Sequence, residues 1–175
     1  MLCFVQCRGT VRRNKMINAN RIETPTLHVW DVSTLISDSG VTRYRLETPE
    51  WLVYDKVSEP HWFFPQGIHF EKFDETLEVF AQVDADSAIY YTKLEQWTLI
   101  RNVKAVNLDG EQFETELLYI DQQRDRIHTD ENIKVTQSDK IIYGVGFESN
   151  QRLSKYTILN PTGVIPFEEN DSISN

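Results

Sequence analysis

Residues 97–107 and 127–137 carry one strand-like pattern twice. The step Asn102-Val103-Lys104 returns as Asn132-Ile133-Lys134 thirty residues later, with no gap between the copies. In both copies the apolar side chains fall mainly on odd positions, which gives a strand one apolar face and one wet face. Between them Phe113, Thr115, Leu117 and Tyr119 are expected to share a face. The turns Asn107-Leu108-Asp109-Gly110 and Gln137-Ser138-Asp139-Lys140 close hairpins at the same spacing of thirty. A repeated two-strand unit builds a continuous sheet by adding hairpins. Such a sheet has a long apolar surface and no evident catalytic pocket. Weaker echoes lie upstream, with Trp62 and Ile68 each 35 residues before Trp97 and Val103.

The remaining strands are read from alternation and punctuation. Residues 27–36 and 41–46 flank a Ser37-Asp38-Ser39-Gly40 turn, and a third strand, 51–54, starts after Pro49. Residues 62–64 and 68–70 flank a break at Pro65-Gln66-Gly67, and 77–91 reads as one long or bent strand. Ile141, Tyr143, Val145 and Phe147 share a face. Gly144 and Gly146 inside that strand mark a close approach or a twist. After a loop at 148–155 a late strand covers 156–159, and Asn160-Pro161-Thr162-Gly163 with Pro166 breaks up the end. No stretch carries a capped 3.6-residue period, so the expected class is all-β.

Two tails flank the strands. Residues 1–26 form a polar leader or linker, 27–168 the β domain, and 169–175 a loose acidic tail. Both cysteines, Cys3 and Cys7, lie in the leader. A Cys3–Cys7 bridge would close too small a loop to staple a domain. Met1-Leu2-Cys3-Phe4-Val5-Gln6-Cys7 is too short to span a membrane. It fits the remnant of an anchor or a lipoprotein signal, with Cys7 as the candidate lipidation site. The net charge of −9 argues against a nucleic-acid partner.

Candidate chemistry is thin. His28, His61, His69 and His128 show no metal-ligand spacing, and neither a metal nor a cofactor is expected. The pairs Asp84/Asp86 and Glu114/Glu116 lie on the wet strand face, where solvation accounts for them. No nucleotide loop, GxSxG or Cys/His nucleophile pair is present, so the chain does not read as an enzyme. The aromatics Trp51, Trp62, Phe64, Phe70, Trp97, Phe113, Tyr119, Tyr143 and Phe147 fall on apolar strand faces. They fit an ordinary sandwich core or a lining that holds an apolar ligand between splayed sheets, and alternation alone serves both. A carbohydrate-binding β-sandwich at the surface or in the periplasm is a further reading of the same aromatics.

Three runs carry a family resemblance. They are Trp97-Thr98-Leu99-Ile100-Arg101-Asn102-Val103, then Gly110-Glu111-Gln112-Phe113-Glu114-Thr115-Glu116-Leu117-Leu118-Tyr119, then Ile127-His128-Thr129-Asp130-Glu131-Asn132-Ile133-Lys134-Val135. Read as W-x-L-x-x-N-V, G-x-x-F-x-T-x-L-x-Y and I-x-T-D-x-x-I-x-V, they resemble the LptC family and the wider group of lipopolysaccharide-transport β-jellyrolls that includes LptA. The resemblance covers about residues 30–167, is clearest over 80–148, and is looser upstream, where Pro60 and Pro65 interrupt.

The resemblance implies an open, twisted antiparallel β-jellyroll on the periplasmic side of the inner membrane of a Gram-negative bacterium. Membrane association would come through the N-terminus if an anchor is present. The protein would take lipopolysaccharide from its ABC transporter complex at an N-terminal edge holding Val29, Val32 and Leu35. It would pass the lipid to LptA at a C-terminal edge holding Tyr156 and Ile158. The implied acyl-chain lining is Trp97, Leu99, Val103, Phe113, Leu117, Tyr119, Ile127, Ile133, Val135, Tyr143, Val145 and Phe147.

Overall fold

Hairpins added in chain order produce the observed topology. The computed structural model describes residues 24–38 and 40–167. The strands are β1 (Leu27–Asp38), β2 (Val41–Tyr54), β3 (His61–Phe64), β4 (Ile68–Phe73), β5 (Val79–Ala85), β6 (Ser87–Tyr91), β7 (Gln96–Asn107), β8 (Gln112–Asp121), β9 (Arg126–Thr136), β10 (Lys140–Ser149) and β11 (Tyr156–Pro166). All belong to one 11-stranded antiparallel sheet, and the described residues include no helix. The fold is all-β, as the alternation implies, and consistent with a β-jellyroll.

The sheet is a simple meander. β3 and β4 are two halves of one strand, broken at Pro65-Gln66-Gly67; β2 pairs with both, through Leu52↔Phe63 and Glu47↔His69. β5 and β6 are likewise halves of one strand broken at Asp86, and β7 pairs with both, through Ser87↔Ile100 and Asp84↔Lys104. From β7 to β11 each strand lies beside its neighbour in sequence, which leaves β1 and β11 at the ends of the sheet.

A line of irregularities crosses the strands near their middles. The register shifts between Ile100 and Val103 in β7, between Thr115 and Tyr119 in β8, and between Val145 and Phe147 in β10. Arg101 and Asn102 hold φ of 61° and 48°, and Gly146 a φ of 80°. Each bulge bends its strand and tightens the local twist. Aligned across the sheet, the bulges fold it so that its two halves face each other. Phe70 in β4 packs on Trp97 in β7 at 5.4 Å between centroids, and Phe113 in β8 on Phe147 in β10 at 5.4 Å. Both contacts join residues from opposite sides of the bulge line. The core is the space enclosed: Leu46, Phe64, Leu99, Val103, Ile133, Val135 and Phe147 are nearly inaccessible there.

Four expectations are corrected. Pro49 does not start a new strand, because β2 runs through it from Val41 to Tyr54. Pro161 and Pro166 do not break up the end, since β11 runs from Tyr156 to Pro166 with Pro161 opposite Gly144. An edge strand tolerates proline because one of its sides needs no ladder hydrogen bond. Finally, Leu117 and Tyr119 do not share a face with Phe113 and Thr115. The alternation of β8 reverses at its register shift, where β7 and β9 each carry one more residue than β8, so Leu118 is buried instead. The alternation of β10 reverses likewise at Gly146, where β9 again carries the extra residue, placing Phe147 inside and Tyr143 and Val145, both 37% exposed, outside. A slip of one residue moves a side chain to the other face.

Candidate functional site

The enclosed space carries the strongest candidate site. A slot lies between the sheet halves, walled by Phe70, Val83, Trp97, Leu99, Leu118 and Ile127. It holds about 50 Å³ of free volume. That exceeds the room one water needs, on the order of 10–15 Å³, but falls far short of a bundle of alkyl chains. The interior is therefore apolar and narrow. Of the expected lining, Trp97, Leu99, Val103, Phe113, Ile127, Ile133, Val135 and Phe147 are buried in the enclosed core. Leu117, Tyr119, Tyr143 and Val145 lie on the outer face, where the Tyr119 ring stacks on His128 at 5.1 Å. Two buried indole N–H groups, on Trp51 and Trp97, have no acceptor among the described residues.

The mouth of the slot was not legible in the sequence. Lys72 extends the inward series Ile68, Phe70, Lys72 along β4, and it is the one charged side chain lining the slot among the described residues. Burial pulls its pKa down, as does the charge of Arg152 and Arg43 nearby, while Asp125 opposes the shift. Its ammonium donates to Gln151 Oε1 at 2.8 Å and lies over the rings of Tyr44 and Phe80 at 5.6 Å each. The Arg152 guanidinium covers Phe80 from 5.1 Å.

Gln151, Arg152 and Leu153 belong to the turn between β10 and β11, which spans the seam where the sheet halves meet. The Gln151 amide donates to the Gln122 carbonyl at 3.1 Å, and its backbone N–H to Asp125 Oδ1 at 3.0 Å. Asn107 Nδ2 donates to the Leu153 carbonyl at 3.0 Å. Leu153 is 3% exposed and lines the slot, held at φ 54°.

The outer face is a lattice of charge pairs. Lys134 pairs with Glu114 at 2.6 Å, Arg45 with Glu71 at 2.7 Å, and Arg126 with Glu148. Asp86 accepts from Asn102 Nδ2 at 2.8 Å, so this carboxylate steadies the bulge. His69 joins Asp84 at 2.7 Å; burial opposes its charge, but the hydrogen bonds to Asp84 and Glu71 outweigh that and raise its pKa. Among the described residues no group of His, Cys, Asp and Glu could hold a metal.

At the sheet ends, Val32, Tyr156 and Ile158 pack against the core, and Val29 is half-buried on β1. The exposed apolar surface comes from Trp30 and Leu35 on β1 and from Leu159, Val164 and Ile165 on β11. Cys3, Cys7, the leader up to residue 23 and the tail from 168 lie outside the described residues, so the lipidation and anchor expectations fall there. Among the described residues no helix is long and apolar enough to cross a membrane.

A family model described as lipopolysaccharide-assembly, LptC-related, matches residues 6–164. No curated protein matches the chain.

Proposed function

Because the chain belongs to the LptC-related family of lipopolysaccharide-assembly proteins, we propose that its folded sheet is one stage of a lipid bridge. Membership gives it a part in lipopolysaccharide transport within the Gram-negative envelope, as a transport component rather than a member of a known enzyme family. In the finer reading the protein stands on the periplasmic side of the inner membrane. It takes lipopolysaccharide from the ABC transporter complex at the β1 edge and passes it to LptA at the β11 edge. Acyl chains travel in the space between the sheet halves, and the sugar head stays in solvent.

The observation that carries this reading is the continuous apolar inner face of a sheet that has one unpaired edge at each end. Unpaired strand edges are ordinarily an aggregation hazard, and strand addition is how they serve recognition. The exposed Trp30 and Leu35 on β1, and Leu159, Val164 and Ile165 on β11, sit where added strands would cover them. Each buried methylene contributes about 0.8 kcal/mol, so several acyl chains suffice to hold a cargo without a polar pocket. A slot of about 50 Å³ requires the halves to part before chains enter. The unpartnered indole N–H groups of Trp51 and Trp97 would then meet the acyl ester and amide carbonyls.

A carbohydrate-binding surface has Trp30, 59% exposed, in its favour. Its position on a sheet edge is better explained by strand docking. Depleting the protein in its own cell tests the proposal. Lipopolysaccharide should disappear from the outer surface; unchanged surface lipopolysaccharide after complete depletion would contradict it.

A further inference from the structure

We infer that the turn at residues 150–155 is an internal stand-in for the cargo, occupying a lateral entry site whose cations, Lys72 and Arg152, receive a lipid phosphate. This deepens the transport reading and rests on it. Lysine is rarely turned inward unless it is paired. Lys72 nonetheless points into an apolar slot, and among the described residues it forms no ion pair; its partner is the neutral amide of Gln151. Arg152 also forms no ion pair among the described residues and rests on Phe80 beside it. The chain carries −9 overall, and on its outer face Arg45, Arg126 and Lys134 are each matched by a carboxylate. These two cations without an ion pair are set apart by their place, over aromatic rings at the rim of an apolar slot, and that place has a specific complement: an anionic head on an apolar chain.

The turn mimics that complement part by part. Gln151 Oε1 sits where an anionic oxygen would accept from Lys72. The Leu153 side chain is buried against the slot, where the end of an alkyl chain would lie. Leu153 reaches that position in the left-handed backbone region, at φ 54°, a conformation that disfavours a side chain. The turn is held by Asn107, Gln122 and Asp125 from outside and by Asn150 within, whose Oδ1 accepts from the backbone N–H groups of Ser154 and Lys155. A phosphorylated acyl lipid entering at the seam replaces Gln151 with phosphate and Leu153 with methylenes, and the turn lifts. Since the turn runs directly into β11, its release bears on the edge proposed to dock the next jellyroll.

The test measures equilibrium binding of the full chain to three probes. They are the phosphorylated, multiply acylated glycolipid anchor of lipopolysaccharide, the same lipid stripped of phosphate, and inorganic phosphate as competitor. Wild type should prefer the phosphorylated lipid by about tenfold, the range of a charge-assisted hydrogen bond. Lys72→Met with Arg152→Gln should erase that preference without lowering the melting temperature. Leu153→Gly, which suits the backbone while removing the plug, should tighten both lipids several-fold, as a role in packing alone would not. Inorganic phosphate should displace neither.

The inference is overturned if the preference survives the double variant, if Leu153→Gly leaves both affinities unchanged, or if phosphate alone displaces the lipids. Should the double variant not fold, Gln151→Ala takes its place: it must tighten the phosphorylated lipid, and no tightening overturns the inference. Wild type binding both lipids equally would sink this inference and leave the transport reading standing; binding neither would sink both.

Discussion

At single residues the bulges decide what faces inward, and neighbouring side chains test it. Phe147 is fully buried against Phe113 and Tyr156, whereas Tyr143, four residues earlier on the same strand, is 37% exposed. Phe147→Ala should cost about 3–5 kcal/mol of stability, and Tyr143→Ala less than about 1 kcal/mol; equal losses in denaturant unfolding would contradict the assigned register. Gly144 lies under β11 so closely that a Cβ would fall 2.2 Å from Ile158 Cγ2 and 2.9 Å from the Asn160 carbonyl oxygen. Gly144→Val should therefore destabilise by about 1–3 kcal/mol through overpacking, and a neutral result would show that β11 does not press there.

Tyr156 offers a pH test. Burial, then its hydrogen bond to Glu111, pushes its phenol up to about 12, while an unfolded tyrosine ionises near pH 10, an approximate reference value. Because the folded state holds this proton longer, the stability it contributes is complete below the unfolded value and is lost as pH rises towards 12. Tyr156→Phe should flatten the stability curve over that alkaline window alone.

Among the elements, the thirty-residue repeat was the legible part, and its physical basis is now plain. The repeated Asn102 and Asn132 both fall on the bulge line, so the repeat records the hairpin together with the place where it bends. The broken strand around Pro65-Gln66-Gly67 could also be read, because proline and glycine mark breaks, and the bent one over 77–91 from its alternation, although no proline or glycine marks its break at Asp86. The reversal of facing in β8 and β10 could not. Leu117 and Leu118 are the same residue type, and only pairing with β7 and β9 selects which turns inward. The mouth escaped for a related reason: alternation puts Lys72 on the inward face with Ile68 and Phe70, but the turn at 150–155 that folds over it lies far along the chain. Proline likewise misled at Pro161, since an edge strand does not punish it. Element-level docking is testable there. Val164, 57% exposed on β11, replaced by lysine should lower crosslinking yield to LptA in cells, because edge lysines oppose strand addition; undiminished yield would move the docking edge elsewhere.

The whole molecule is a sheet folded along its bulges, shut by one turn, with an interior too narrow for its proposed cargo. In the proposed reading the halves separate and close again, exchanging protein contacts for lipid contacts of similar apolar character. Such a cycle needs little net energy from this chain, and the partner ATPase would supply direction. The most direct test is photocrosslinking in living cells with a light-activated side chain at Leu118 or, separately, at Leu117. Leu118 lines the slot and Leu117 faces out from the same strand. An adduct with lipopolysaccharide at Leu118 and none at Leu117 is the predicted result; adducts confined to Leu117, or absent from both in a folded protein, would contradict transport through the interior.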